Sequence, residues 1–189
     1  MIDLPTGTAA VRTVARTGLQ IAEGYAAAHI HEEGGNNRGD QVEFFQKLMG
    51  GAPGDPWCAD FVSTCLIKAY ARFHRLPEDR DRLAGYIGAA GALLLPLSGS
   101  CVELARSARR LKLLRSPEFT PVAGDLVLFD FPGLGEPHHV GFVRSAGHAI
   151  VSTVEGNTSS GIAGSQADGD GVFCRSRPRE RIYGFVHFS

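Results

Sequence analysis

Four side chains in a fixed order are what this sequence offers to chemistry. Cys58 stands in Asp55-Pro56-Trp57-Cys58-Ala59-Asp60-Phe61-Val62, His139 opens His139-Val140-Gly141-Phe142-Val143, and Glu155 and Asn157 stand in Glu155-Gly156-Asn157. A thiol, an imidazole and a carboxylate or amide are the parts of covalent acyl transfer. The thiolate attacks a carbonyl, the imidazole carries the proton, and the third group holds the imidazole in one tautomer and orientation. Asp55 suits a helix N-cap and Pro56 the first helical position, which predicts Cys58 within the first turn. There the partial positive charge of the helix start favours the thiolate and lowers the thiol's pKa.

His139 follows the Pro132–Pro137 loop and opens a strand, so it is expected at a sheet edge, facing a groove. Glu155 ends the next predicted strand and Asn157 lies two residues further. In an antiparallel hairpin the start of one strand lies beside the end of the other, which brings either residue to the imidazole. The sequence leaves open which of the two accepts its N–H.

The elements that must position these groups divide into a helical first half and a strand-rich second half. Ala9–Ala28 reads as a helix, weakened by Gly18 and Gly24. Asp40 is expected to cap a short helix with Val42, Phe44, Phe45, Leu48 and Met49 on its apolar side, ended by Gly50-Gly51. In the Cys58 helix Ala59, Val62, Leu66 and Ala69 recur at helical spacing, and the helix should stop before Pro77. A charged turn, Glu78–Arg82, leads into an apolar Gly/Ala/Leu stretch, and Val102–Leu114 reads as a further helix. Strands are predicted at Asp125–Phe131, His139–Val143, His148–Glu155 and Arg181–Phe188, with Ser145-Ala146-Gly147 as a hairpin turn and Gly156–Gly171 as a loop. Helices first and an antiparallel meander second predict an α+β fold in one domain, N-terminal helices packed on a C-terminal sheet.

Composition narrows the function classes. A formal net charge of -1 provides no basic footprint, so no nucleic-acid partner is expected. Four cysteines spread without a CxxC pair fit neither a disulfide framework nor a structural zinc site, and no metal or cofactor is expected. Cys65 and Cys101 read as buried apolar thiols. Met1–Pro5 lacks a basic segment followed by an apolar run, and Leu83–Leu97 is too short and too broken by glycine to span a bilayer. The expectation is synthesis in the cytoplasm without a signal peptide, with no membrane span.

Five segments in order, Asn36-Asn37-Arg38-Gly39, Pro56–Val62, Gly124-Asp125-Leu126-Val127-Leu128-Phe129, His139–Val143 and Glu155-Gly156-Asn157-Thr158, resemble the CHAP domain. This is the cysteine, histidine-dependent amidohydrolase/peptidase group of papain-like hydrolases. The resemblance covers about residues 36–189 and leaves 1–35 as a helical extension. It implies a papain-like core, cleavage of an amide bond in peptidoglycan, Cys58 as nucleophile, His139 as base, and Glu155 and Asn157 as orienting positions. His138 stands where such domains more often carry a small residue. Trp57, Asn37, Arg38 and His138 are the substrate-contact candidates beside them. For Trp57 the alternative is a core anchor, for Arg38 a structural ion pair, and for Asn157 a turn former. The implied partner is peptidoglycan, with action at the cell wall or periplasm after release or signal-independent export. The alternatives are an antibacterial effector with an immunity or targeting protein, and a catalytically idle wall-binding module.

Overall fold

The computed structural model describes residues 7–161 and 169–189. The centre of the predicted Gly156–Gly171 loop lies outside the described residues, as does the stretch read for a signal segment. In chain order the elements are α1 (Thr8–Ala27), α2 (Asp40–Leu48), α3 (Cys58–Phe73), α4 (Arg80–Leu83), α5 (Ile87–Leu93), α6 (Cys101–Arg110), β1 (Leu114–Arg115), β2 (Leu126–Phe129), β3 (His139–Ala146), β4 (Ile150–Thr158), β5 (Gly171–Pro178) and β6 (Ile182–Val186). The strands form one antiparallel sheet in the order β1-β6-β2-β3-β4-β5. The fold is α+β.

Strand alternation builds two cores from one sheet. Leu126 and Leu128 of β2, with Val140 and Phe142 of β3, pack against Val14, Leu19, Phe45, Phe61 and Leu66 from α1–α3. Val127 and Phe129, with Val143, Val151 and Phe185, form a second cluster under Phe119 and Phe131. Each fully buried Phe or Leu contributes roughly 1.5–3 kcal/mol of transfer free energy, and together they fix the sheet under the helices. Gly18, which weakens the helix reading of α1, is buried where α1 packs against α3 and β3. A Cβ there would lie 3.0 Å from Leu66 and 3.3 Å from Phe142. The Arg12 guanidinium donates to Asp125 (2.6 Å), Ala123 O (3.0 Å) and Phe188 O (3.0 Å), which ties α1 to the sheet.

Several boundaries differ from the sequence reading, each for a local reason. Asp55 and Pro56 do not start α3. The Asp55 carboxylate accepts the Ala52 N–H (2.8 Å) in a turn, Trp57 takes the N-cap position, and Cys58 is the first helical residue. The helix expected over Val102–Leu114 stops at Arg110. Lys112 adopts φ +59°, and Leu114–Arg115 joins the sheet beside β6. Ser100 caps its start, accepting the Glu103 N–H. Strand β3 runs through Ala146 because a bulge between Val143 and Ser145 absorbs the shift, and the turn follows at Gly147, whose N–H donates to Ile150 O (2.8 Å). Strand β4 continues past Glu155 to Thr158, and β5 occupies a segment given no strand by the sequence. Among the described residues no helix is long and apolar enough to cross a membrane.

Candidate active site

Cys58 is the first residue of α3 and His139 the first of β3, so the two meet at element ends. The N-terminal turn of a helix leaves its N–H groups without intrahelical acceptors, which gives Cys58 a positive local field. That turn is pinned from β4. Asn157, at φ +56°, orients its amide so that the oxygen accepts the Trp57 N–H (3.1 Å). Its nitrogen donates to Gly169 O (2.8 Å) and Asn37 Oδ1 (3.2 Å).

The imidazole partner is Glu155. His139 Nε2 lies 3.0 Å from Glu155 Oε2, while Nδ1 is buried with no partner of hydrogen-bonding geometry. Nδ1 is thus free for the thiol proton of Cys58, and the two groups are close enough to alter each other's proton affinity. Gly141 makes the Glu155 contact possible: a Cβ there would lie 2.5 Å from Glu155 Cγ and 2.9 Å from Val154 O.

Glu155 is itself held from β5. Arg177 Nε donates to both carboxylate oxygens (2.9 and 3.2 Å) and its Nη2 donates to Oε2 and to Thr158 Oγ1 (2.9 Å). Thr153 Oγ1 donates to Oε1 (2.5 Å). Phe129 and Phe131 stack 5.1 Å apart and flank the imidazole at 5.9 and 5.7 Å. The Arg177 guanidinium lies over the same two rings.

These contacts set the protonation states. Burial pushes Glu155 up, but Arg177 and His139 outweigh it and hold the carboxyl down at about 2. Burial pushes His139 down, yet hydrogen bonding and charge from Cys58 and Glu155 carry it up to about 9. The Cys101 thiol, 3.6 Å from the Cys58 sulfur, is the largest influence on Cys58 and favours its thiolate. Burial opposes this, and His139 and the Val140 N–H add to the lowering. These influences favour a thiolate on Cys58 beside a protonated His139. Cys58 is 4% exposed and Cys101 8%.

Asp60, two residues after Cys58 in α3, moves the other way. Burial, the Cys58 charge and Asp55 raise it to about 8. It lines a cleft of about 260 Å³ with Pro56, Ser98 and Gly99. A carboxyl raised above its unfolded value costs the fold nothing below about pH 4 and progressively more as pH rises towards 8. Asp60→Asn is therefore expected to raise stability on the order of 2 kcal/mol at pH 8 and to leave it unchanged at pH 3, read from denaturant midpoints at the two pH values.

The other sequence candidates lie differently. His139 is not at a sheet edge: it is 0% exposed, because β4 and β5 extend the sheet beyond β3. Trp57 is no cleft floor. It is fully buried, stacks on Phe45 (5.9 Å) and donates Nε1–H to Glu32 (2.9 Å). Asn37, at φ +55°, is buried, donates to Gly54 O (3.2 Å) and accepts from the Asn157 amide. Arg38 is exposed and pairs with Glu43 (3.6 Å), the structural alternative. His138 points away from His139 along the strand and is exposed; its Nδ1 faces Glu136 O (2.7 Å). Cys101 is a buried core thiol, as the sequence predicts, and it also touches the Cys58 sulfur. Arg177 and Thr153 are absent from the sequence reading, although a carboxylate buried in a strand calls for a cation nearby. Among the described residues no three His, Cys, Asp or Glu side chains converge as a metal ion would require.

Comparison with protein-family models, with curated proteins and with solved structures finds no match.

Proposed function

We propose that the protein is a cysteine hydrolase of CHAP type with a papain-like core, cleaving an amide bond of peptidoglycan. The observation that carries this reading is the chain of contacts from Cys58 through the free Nδ1 of His139 to Glu155 and Arg177. In the acylation step the Cys58 thiolate attacks the amide carbonyl, and the carbonyl oxygen takes the negative charge. The Cys58 N–H, which has no intrahelical acceptor at the first helical position, supports that oxygen. The tetrahedral adduct collapses to a thioester as His139 delivers its Nδ1 proton to the leaving amine. A water then gives its proton to His139 and attacks the thioester, releasing the acid and restoring the thiolate–imidazolium pair. Glu155, kept ionised by Arg177, holds the imidazole in place and balances its charge throughout.

The substrate class comes from the ordered motifs, and the chemistry from the geometry. Purified sacculi incubated with the protein should release new amines and muropeptides, with fragment masses that identify the bond. Cys58→Ala should reduce the release to background. Equal release by both proteins would remove the nucleophile assignment.

A further inference from the structure

The neighbour of the Cys58 sulfur is a second cysteine. Their Sγ atoms lie 3.6 Å apart, and each is the first residue of a helix, Cys58 of α3 and Cys101 of α6. A disulfide needs about 2.05 Å between sulfurs, so side-chain torsion must bring these two about 1.6 Å closer. The other thiols are differently placed: Cys65 is fully buried within α3, and Cys174 is exposed on β5.

We infer that Cys58 and Cys101 form a peroxide-responsive dithiol pair, in which Cys101 resolves an oxidised Cys58 as a reversible disulfide. The Cys58 thiolate attacks one oxygen of a hydroperoxide: an S–O bond forms, the O–O bond breaks, and the departing alkoxide or hydroxide takes a proton. Cys58 is left as a sulfenic acid. The Cys101 sulfur then attacks the Cys58 sulfur: the S–S bond forms, the S–O bond breaks, and hydroxide leaves with the Cys101 proton as water. In total two thiols and one hydroperoxide give one disulfide, one alcohol (water, for hydrogen peroxide) and one water. The two electrons pass from the sulfur pair to the peroxide. A dithiol reductant reverses the step by exchange.

Three features support it. Cys58 has the thiolate character that peroxide requires. Both sulfur-bearing residues keep slight exposure, Cys58 4% and Cys101 8%, which a small peroxide can exploit. Cys101 is already in contact, so the sulfenic acid meets a thiol before a second peroxide. The consequence for hydrolysis rests on the proposed function: the disulfide removes the nucleophile, and the enzyme is silent while oxidised and restored on reduction.

The test uses the full chain, hydrogen peroxide and mass spectrometry, independent of any activity. After brief peroxide treatment the wild type should lose about 2 Da, take up two alkyl groups rather than four under denaturing conditions, yield a Cys58–Cys101 linked peptide, and present four alkylatable thiols when dithiothreitol is added before alkylation. Cys101→Ser should instead take up oxygen at Cys58, progressing to a gain of about 32 Da that dithiothreitol does not reverse. Direct formation of the sulfinic acid in the wild type, or four alkylatable thiols still present after peroxide treatment, would overturn the inference. If the variant does not fold, the linked peptide in the wild type decides alone. A cross-link without sacculus cleavage sinks the hydrolase reading and keeps this one; cleavage without a cross-link does the reverse.

Discussion

Arg177→Met should lower the unfolding free energy by about 3–5 kcal/mol, because it leaves the Glu155 carboxylate buried without its cation. The pair is buried: Arg177 bonds both Glu155 oxygens and Thr158, Thr153 also donates to Glu155 Oε1, and Phe129 and Phe131 cover the guanidinium. Glu155→Gln alone strands the arginine instead. The double variant removes both charges and should recover much of either loss, so equilibrium unfolding of the four proteins gives a coupling energy. The pH dependence has a defined sign. Glu155 is held below its ordinary 4.5, at about 2. Its contribution is therefore fully present above about pH 4.5 and lost as pH falls through about 2. The acid limb of the wild-type stability curve should flatten in Glu155→Gln. Unchanged stability in Arg177→Met would mean that the cation does not hold the carboxylate in solution.

His139→Ala should reduce turnover by at least about 10³-fold, since it removes both the proton carrier and the positive charge that sustains the thiolate. The wild-type pH profile should show why. The active pair exists above the lowered pKa of Cys58 and below the raised pKa of His139, about 9. Turnover should hold across neutral pH and fall as pH passes about 9, where the imidazolium loses its proton. Stability carries the matching term. The contribution of His139 is complete below its ordinary 6.5 and is lost as pH rises through about 9. A profile that starts falling at pH 6.5 would show an imidazole with no such partners. Titrating Cys58 with an alkylating reagent across pH should give an unusually early thiolate in the wild type and a later one in His139→Ala.

The sequence was most legible where local chemistry decides. The Cys58 helix, the His139 strand and the hairpin to Glu155 follow from helical spacing, strand patterning and a tight turn. They set each group at the end of its own element; the pairing of thiol with imidazole, far apart in the chain, was legible only through the roles a nucleophile and its base require and the order of the motifs. It was less legible wherever a distant partner sets the outcome. Asp55-Pro56 reads as a helix start, but Asp55 is drawn into the turn at Ala52, and the cap position passes to Trp57, held by Asn157 from β4. Strand β5 was missed because its Arg175 and Arg177 break the apolar alternation, and that omission left β3 near an edge and Glu155 without a cation. Trp57 beside a nucleophile suggests a binding floor in one dimension; in three, Phe45 and Phe61 enclose it. Cys101 could be connected with Cys58 only once the chain between them had folded α6 back onto the start of α3.

Strand β5 lies last in the sheet order, yet it carries the side chain that keeps Glu155 ionised. Terminal strands open more often than central ones, in excursions that hydrogen exchange registers well below global unfolding. Each such excursion would withdraw Arg177 and loosen the imidazole while the helices stay formed. Catalytic competence would then be the first property lost on warming, with the circular dichroism of the helices still intact.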